Sequence, residues 1–244
     1  MTSSGQARGR EAIRAVGFHR SRPFLDRNRC EEKAVRDQIL KMSISIDGFV
    51  SDLDGRNTWM FGADREAKAW SADYLWNAGL HIMGSRSFQD MAAWWPTSTD
   101  MFAPPMNQIP KAVFSRQGAA ALGNRHDTAA LDEARAKAGA TQSAERQPGA
   151  DSWTDPYVAS GDLLEEIARL KAQEGKPIIA HGGVRFARSL VASGLVDQYA
   201  LAVAPVALGQ GLPLFSDLTA PKPLRLMSSQ AFPGGAVAQI YRAS

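Results

Sequence analysis

The sequence predicts an α/β protein: a mainly parallel central sheet flanked by helices and closed by a C-terminal antiparallel hairpin. Three observations carry that expectation. Short apolar runs alternate with amphipathic stretches over about 200 residues, most of the runs stop at a glycine or a small polar turn, and the last two are joined by Pro233-Gly234-Gly235. Strands separated by helices pair in parallel, because each helix carries the chain back to the same edge of the sheet and covers a face as it does so.

Residues 1–33 are Arg-rich with no clean apolar period, which predicts a flexible N-terminal extension before a domain over 34–244. From Ala34 the residues Leu40, Met42, Ile44 and Ile46 alternate with Ile39, Lys41, Ser43 and Ser45, a strand with one buried face that Asp47-Gly48 stops. Residues 64–78 place Ala67, Trp70, Tyr74 and Leu75 at helical spacing. A strand, LHIMG, precedes a helix opening at Ser87, and KAVFS is the next strand. Between residues 117 and 156 the composition turns to Ala, Gly, Gln and Arg without a lasting apolar stripe, which predicts a surface insertion, helical in part around 129–138. YVAS is a strand, and Asp162 caps a helix that Gly175 closes. KPIIAHGG runs from strand to a Gly-Gly turn and VRFARSLVASG is a helix with its own terminal glycine. VDQYALAVAPVAL is a long strand, and LRLMSSQAF with AVAQIYRA forms the hairpin.

The chain has 244 residues, 44% apolar and 22% charged, enough to build a sizeable core. It has no run of eighteen apolar residues, so a membrane span is not expected. Cys30 is its one cysteine, which excludes an internal disulfide and fits a reducing, cytoplasmic setting. The net charge of +3 comes from the first 41 residues, which hold ten basic and five acidic side chains, while the remaining 203 hold eighteen and twenty. The basicity belongs to the extension, and nucleic acid is not an expected partner of the domain.

Ligands of such sheets bind in the loops beyond the carboxyl ends of the strands. Three of those loops suit an anion. Gly84, Ser85, Arg86 and Ser87 form a glycine turn with a basic and a hydroxyl residue at a helix start; Ser115-Arg116 repeats the pattern one strand later; Gly182-Gly183 opens a third helix. Free N–H groups and the helix dipole attract phosphate at such a start, and a Gly-Gly lets the main chain approach where any Cβ would clash. Singly, each is also what a tight strand-to-helix turn needs, with Ser87 as an N-cap. Together they fit a dinucleotide phosphate, although no G-x-G-x-x-G follows a strand.

With these turns, the stretches SIDGFVSDLDG, IMGSRSF, VFSR, GGVRFARSL and APVALGQGLPLF resemble, in order and spacing, the dihydrofolate-reductase-like superfamily. The resemblance is to the C-terminal reductase domain of the bifunctional riboflavin-biosynthesis deaminase-reductases, as a stand-alone member. The His-x-Glu and Pro-Cys-x-x-Cys ligands of the deaminase half are absent from the sequence. The resemblance implies NADPH as cofactor. Gly84, Ser85, Arg86, Ser87, Ser115 and Arg116 would hold its 2′-phosphate and pyrophosphate, and Gly182, Gly183 and Val184 would lie beside the nicotinamide. The family commonly has Arg directly after the glycine; here Ser85 stands there and Arg86 follows. Ser45, Asp47 and Gly48 match its substrate-side loop, with Asp47 accepting hydrogen bonds from substrate hydroxyls; an Asp-Gly turn is the structural alternative. Trp59 and Asp64 match the pocket tryptophan and carboxylate of true dihydrofolate reductases, and Asp64 is equally a helix N-cap. Asp47 and Asp64 are thus the catalytic candidates.

The implied function is an NADPH-dependent reductase acting on a C=N or C=O of a small heterocycle, foremost a 5-amino-6-(5-phosphoribosylamino)uracil reductase-like activity. A dihydrofolate or pterin reductase and a non-catalytic nucleotide-binding protein on the same fold are the alternatives. A small-molecule substrate is the expected partner, with a homodimer among the assemblies open to it.

Overall fold

The computed structural model describes residues 35–57, 59–60, 65–123, 128–137 and 141–244. The extension expected over 1–33 and the candidate Asp64 lie outside the described residues. In chain order the strands are β1 (Gln38–Ser45), β2 (Phe49–Ser51), β3 (Leu80–Gly84), β4 (Lys111–Phe114), β5 (Tyr157–Ala159), β6 (Ile178–Ala180), β7 (Gln198–Ala204), β8 (Leu212–Pro213), β9 (Leu224–Ala231) and β10 (Val237–Ala243). The helices are α1 (Arg65–Leu75), α2 (Ser85–Trp94), α3 (Ala103–Gln108), α4 (Ala120–Gly123), α5 (Ala129–Lys137), α6 (Leu163–Lys171) and α7 (Val184–Ser193).

Among the described residues the central sheet runs β5-β4-β3-β6-β1-β7-β10-β9. The pairs from β5 to β7 are parallel, and β10 is antiparallel to both β7 and β9. This is the expected fold class, closing hairpin included. Successive side chains of a strand leave on opposite faces, and here both faces are covered. Leu40, Met42, Ile82, Ile178 and Ala180 pack with Ile167 and Leu170 of α6 and Leu190 of α7. Ile39, Met83, Val113 and Ile179 pack with Leu75 of α1, Phe88 of α2, Met106 of α3 and Trp153.

β1 therefore does not have a single buried face, as its alternation suggested: Ile39 is as buried as Leu40, because the strand lies inside a parallel sheet. Ile46 is instead 65% exposed, since the chain has already left the sheet at Ser45. Helix boundaries also shift. α2 starts at Ser85, not Ser87, with extended Gly84 as its N-cap. The side chain of Asp162 caps α6 by accepting from the N–H groups of Leu164 and Glu165, but α6 ends at Lys171, and Gly175 serves the following turn. α7 closes as expected on left-handed Gly194.

β2 and β8 form a small separate antiparallel sheet that the sequence reading missed, as did α3, whose residues 103–108 include two prolines. The segment expected as a surface insertion reaches the core at several points: Ala121, Leu131, Ala150 and Trp153 are each 5% exposed or less. Trp153 is 5% exposed, its Nε1 donates to Asn107 Oδ1 at 2.8 Å, and its ring lies 5.6 Å from that of Phe88. Trp153 is the largest of these anchors, in a segment where no stripe was visible.

Candidate functional site

The order β4-β3-β6 brings the three anion-friendly turns side by side. Gly84 pairs with Phe114 and Ile82 with Ala180, so Gly84–Ser87, Ser115–Arg116 and His181–Gly183 leave the same edge of the sheet on neighbouring strands. α2 and α7 each start on a glycine with no side-chain cap, unlike α6. Their first N–H groups have no intrahelical acceptor, and the helix dipole adds positive potential there. Ser85, Arg86 and Ser87 are the first three residues of α2, so Ser87 is not the N-cap. Its hydroxyl faces the Gly-Gly turn instead: a Cβ on Gly183 would stand 2.6 Å from Ser87 Oγ, and one on Gly182 3.5 Å from it. Both glycines have positive φ, 47° and 66°, a region that side chains avoid. A Cβ on Gly84 would touch Phe186 of α7, whose ring lies 5.0 Å from that of Phe114. Val184, the first residue of α7, packs on the core. Ser115 accepts from the N–H of Gln117 and shapes its own turn. Arg86 and Arg116 are exposed and ion-paired to no described residue.

The substrate-side candidates behave differently. Gly48, at φ 84°, donates its N–H to the Ser45 carbonyl at 3.0 Å and closes the turn. Asp47 points into the loop after β7: its carboxylate accepts the Ser45 hydroxyl at 2.5 Å, the Leu208 N–H at 3.0 Å and the Gly209 N–H at 2.7 Å. A carboxylate has about four acceptor positions, and three are taken by the protein. Asp47 thereby fastens the loop after β7, with one acceptor position left for the substrate hydroxyls expected there. The same loop is tied by Ile46 N–H to Val206 O and Leu214 N–H to Gly48 O, and a Cβ on Gly211 would collide with the Ser51 carbonyl. Trp59 is half-buried, with its Nε1 sealed from solvent and unpartnered among the described residues.

Four basic groups line the sheet face toward α1, α2 and α3; of these the sequence singled out His181 alone, as a proton relay near the nicotinamide or a structural strand-end residue. His81 and His181 are buried, with His181 Nε2 2.8 Å from His81 Nδ1 and His81 Nε2 3.2 Å from the Pro105 carbonyl. Burial, then the charge of Lys111, pushes the His81 pKa down to about 3, and burial and the neighbouring bases hold His181 well below the usual range. Lys111 is buried against the carbonyls of Asn107 and Ile109, the Ser152 hydroxyl and the Trp153 ring, and burial lowers its pKa to about 7. Lys41, on β1, has no such partners among the described residues, and burial lowers its pKa to about 8. A lysine in the middle of a strand with apolar residues on both sides was the available signal, since a charge inside a two-faced sheet needs a reason.

The family described as the RibD C-terminal domain matches residues 37–238. The chain belongs to that family. As a RibD C-terminal domain it is 24% identical over 208 residues to the uncharacterized protein YyaP of Bacillus subtilis (strain 168), covering 83% of this chain and 93% of that one. A putative riboflavin biosynthesis protein of Shewanella sp. PV-4 shares the fold with a TM-score of 0.56 at 18% identity, over 85% of this chain and 99% of that chain. The bifunctional diaminohydroxyphosphoribosylaminopyrimidine deaminase/5-amino-6-(5-phosphoribosylamino)uracil reductase of Thermotoga maritima aligns with a TM-score of 0.57 at 13% identity, over 86% of this chain and 57% of that chain. The RibD C-terminal domain thus has the dihydrofolate-reductase-like fold of riboflavin-pathway reductases. Among its described residues no helix is long and apolar enough to cross a membrane. A depression of about 450 Å³ lined by Asp37, Tyr74, Lys176 and Gln198 opens at the amino ends of β1, β6 and β7, the edge opposite the glycine turns. Ligands of open α/β sheets bind at the carboxyl edge, so the turns define the candidate site.

Proposed function

We propose that this RibD C-terminal domain is an NADPH-dependent reductase that delivers hydride to a C=N or C=O carbon of a small heterocycle, foremost 5-amino-6-(5-phosphoribosylamino)uracil or a close relative. The observation that carries the reading is the meeting of two uncapped, glycine-opened helices, α2 and α7, through Ser87 and Gly182–Gly183, with Arg86 and Arg116 beside them and ion-paired to no described residue. These residues fit the cofactor. The first-turn N–H groups and the two guanidinium groups suit its phosphates, and the left-handed glycines keep the main chain bare for a flat ring. Bound there, NADPH supplies a hydride from its nicotinamide. The protein contributes orientation and a water-poor wall of apolar side chains. Lys41, with its pKa lowered to about 8, holds a proton on Nζ that it can give up near neutral pH, which makes it a candidate acid.

The test is a binding titration with Arg86 and Arg116 both replaced by Ala. Charge-assisted contacts are worth roughly 1.5–3 kcal/mol each, toward the low end at exposed side chains. NADPH should weaken by that amount per contact and NADH should barely change. Equal losses for the two cofactors contradict the phosphate assignment.

A further inference from the structure

The buried histidine pair stands beside the candidate site and has no task in the reading above. Its hydrogen bonds fix its protons. A carbonyl oxygen only accepts, so the bond between His81 Nε2 and the Pro105 carbonyl requires the proton on His81 Nε2. The ring being neutral, Nδ1 of His81 is then a bare acceptor, and the 2.8 Å contact requires His181 to donate from its Nε2. This leaves one lone pair on the whole chain of bonds, at His181 Nδ1, which makes no hydrogen bond to a described residue. Nδ1 is the ring nitrogen nearer the main chain, and the next two residues are Gly182 and Gly183. His181 keeps 8% of its surface exposed, whereas His81 is fully buried.

The charged and titratable groups acting on the pair come from β1 and β4, as Lys41 and Lys111, and α3 contributes the Pro105 carbonyl. Both charges are positive, and no carboxylate of a described residue bonds either ring. An imidazolium is thereby disfavoured, and the pair cannot serve as a general acid. A neutral ring with a fixed tautomer does something else well: it presents an acceptor of fixed direction.

We propose that His81 and His181 form a tautomer-locked pair whose free lone pair, on His181 Nδ1, accepts a hydrogen bond from a ligand N–H at the Gly182–Gly183 turn. The ligand chemistry is a planar carboxamide or lactam, found both in a nicotinamide and in a pyrimidinedione ring. His181 touches the ligand, and His81 is a positioning residue that acts through it. The ligand half of this proposal rests on the reductase reading; the lock does not.

The lock is read on the full chain labelled with ¹⁵N-histidine, by long-range proton–nitrogen correlation. His81 and His181 should each be neutral and protonated on Nε2 alone across neutral pH. A proton on His181 Nδ1 in the wild-type chain overturns the proposal. The acceptor is read by titrating NADPH, its 3-acetylpyridine analogue, which keeps the carbonyl but has no amide N–H, and 5-amino-6-ribitylaminouracil. His181→Phe removes the acceptor and should weaken the partner ligand about tenfold, as expected for a donor left unpaired. If the nicotinamide is the source, NADPH loses that affinity and the acetylpyridine analogue does not. If the pyrimidine is the source, the loss falls on the uracil and NADPH is unchanged. His81→Gln, whose amide can donate to Pro105 and accept from His181, should preserve both tautomer and affinity, while His81→Leu should lose the fixed tautomer and part of the affinity. Equal binding of NADPH and the uracil by wild type and His181→Phe overturns the proposal. Failure of both ligands to bind the wild-type chain overturns the reductase reading and the ligand half with it, leaving the lock to the nitrogen spectrum.

Discussion

The carboxylate of Asp47 receives the Ser45 hydroxyl and the N–H groups of Gly209 and Leu208, and these donors hold its pKa below the usual carboxylate value. A lowered carboxylate pKa means that the fastening is present above the unfolded value and is lost as pH falls through the folded one. Asp47→Asn should speed amide hydrogen exchange at Leu208 and Gly209, because an amide cannot accept on both sides. The wild-type chain should show the same acceleration on acidification below about pH 4. Unchanged exchange in the variant would mean that the loop is not held through Asp47. The histidine pair gives the opposite kind of residue, one kept neutral. With the folded His81 pKa lowered to about 3, the unfolded chain takes up its proton first as pH falls below about 6.5. Stability should therefore drop between those values, by about 1.4 kcal/mol per pH unit for this histidine. Urea titrations at several pH values measure the slope, and His81→Leu should reduce it. An equal slope in the variant contradicts a buried neutral His81.

At the level of elements, the end of the 117–156 segment is the least local part of the fold. Trp153 fills the space beside Phe88 and bonds Asn107, and Lys111 lies 4.4 Å from the centre of its ring. Trp153→Ala should cost about 3–5 kcal/mol, as for a large aromatic side chain removed from a core. Thermal or urea unfolding checks it, and a loss below about 1 kcal/mol would mean that this segment does not dock. The sequence was legible where one element carried its own signal. α7 had glycines at both ends and an apolar stripe, α6 had Asp162, and the hairpin had its Pro-Gly-Gly turn. It was illegible where the signal came from elsewhere. β2 and β8 are three and two residues long and exist through each other, α3 has prolines in its first turn, and Trp153 docks on residues far away in the chain. The site divides in the same way. The glycine turns could be read because a glycine reports its own backbone, whereas Lys41 and His81 needed the register of neighbouring strands before they stood on one face. Asp47 kept its place at the strand end, and its partners, 161 and 162 residues away, add the fastening of a loop that no local signal showed.

Over the whole molecule, the sheet order turns three weak local signals into one site, since β4, β3 and β6 are adjacent although far apart in the chain. Membership of the RibD C-terminal domain family agrees with that arrangement over residues 37–238. In the function proposed above, the site moves a hydride from NADPH to a pyrimidine ribosylamine. The most direct measurement uses NADPH carrying deuterium on the transferred face of nicotinamide C4, incubated with the protein and 5-amino-6-(5-phosphoribosylamino)uracil, followed by mass spectrometry of the product. The product should be a reduced ribitylamine one deuterium heavier, formed at a rate that falls in the Arg86→Ala/Arg116→Ala variant. NADPH bound tightly with no deuterium passed to this substrate or to dihydrofolate would contradict it and leave a nucleotide-binding protein on a reductase fold.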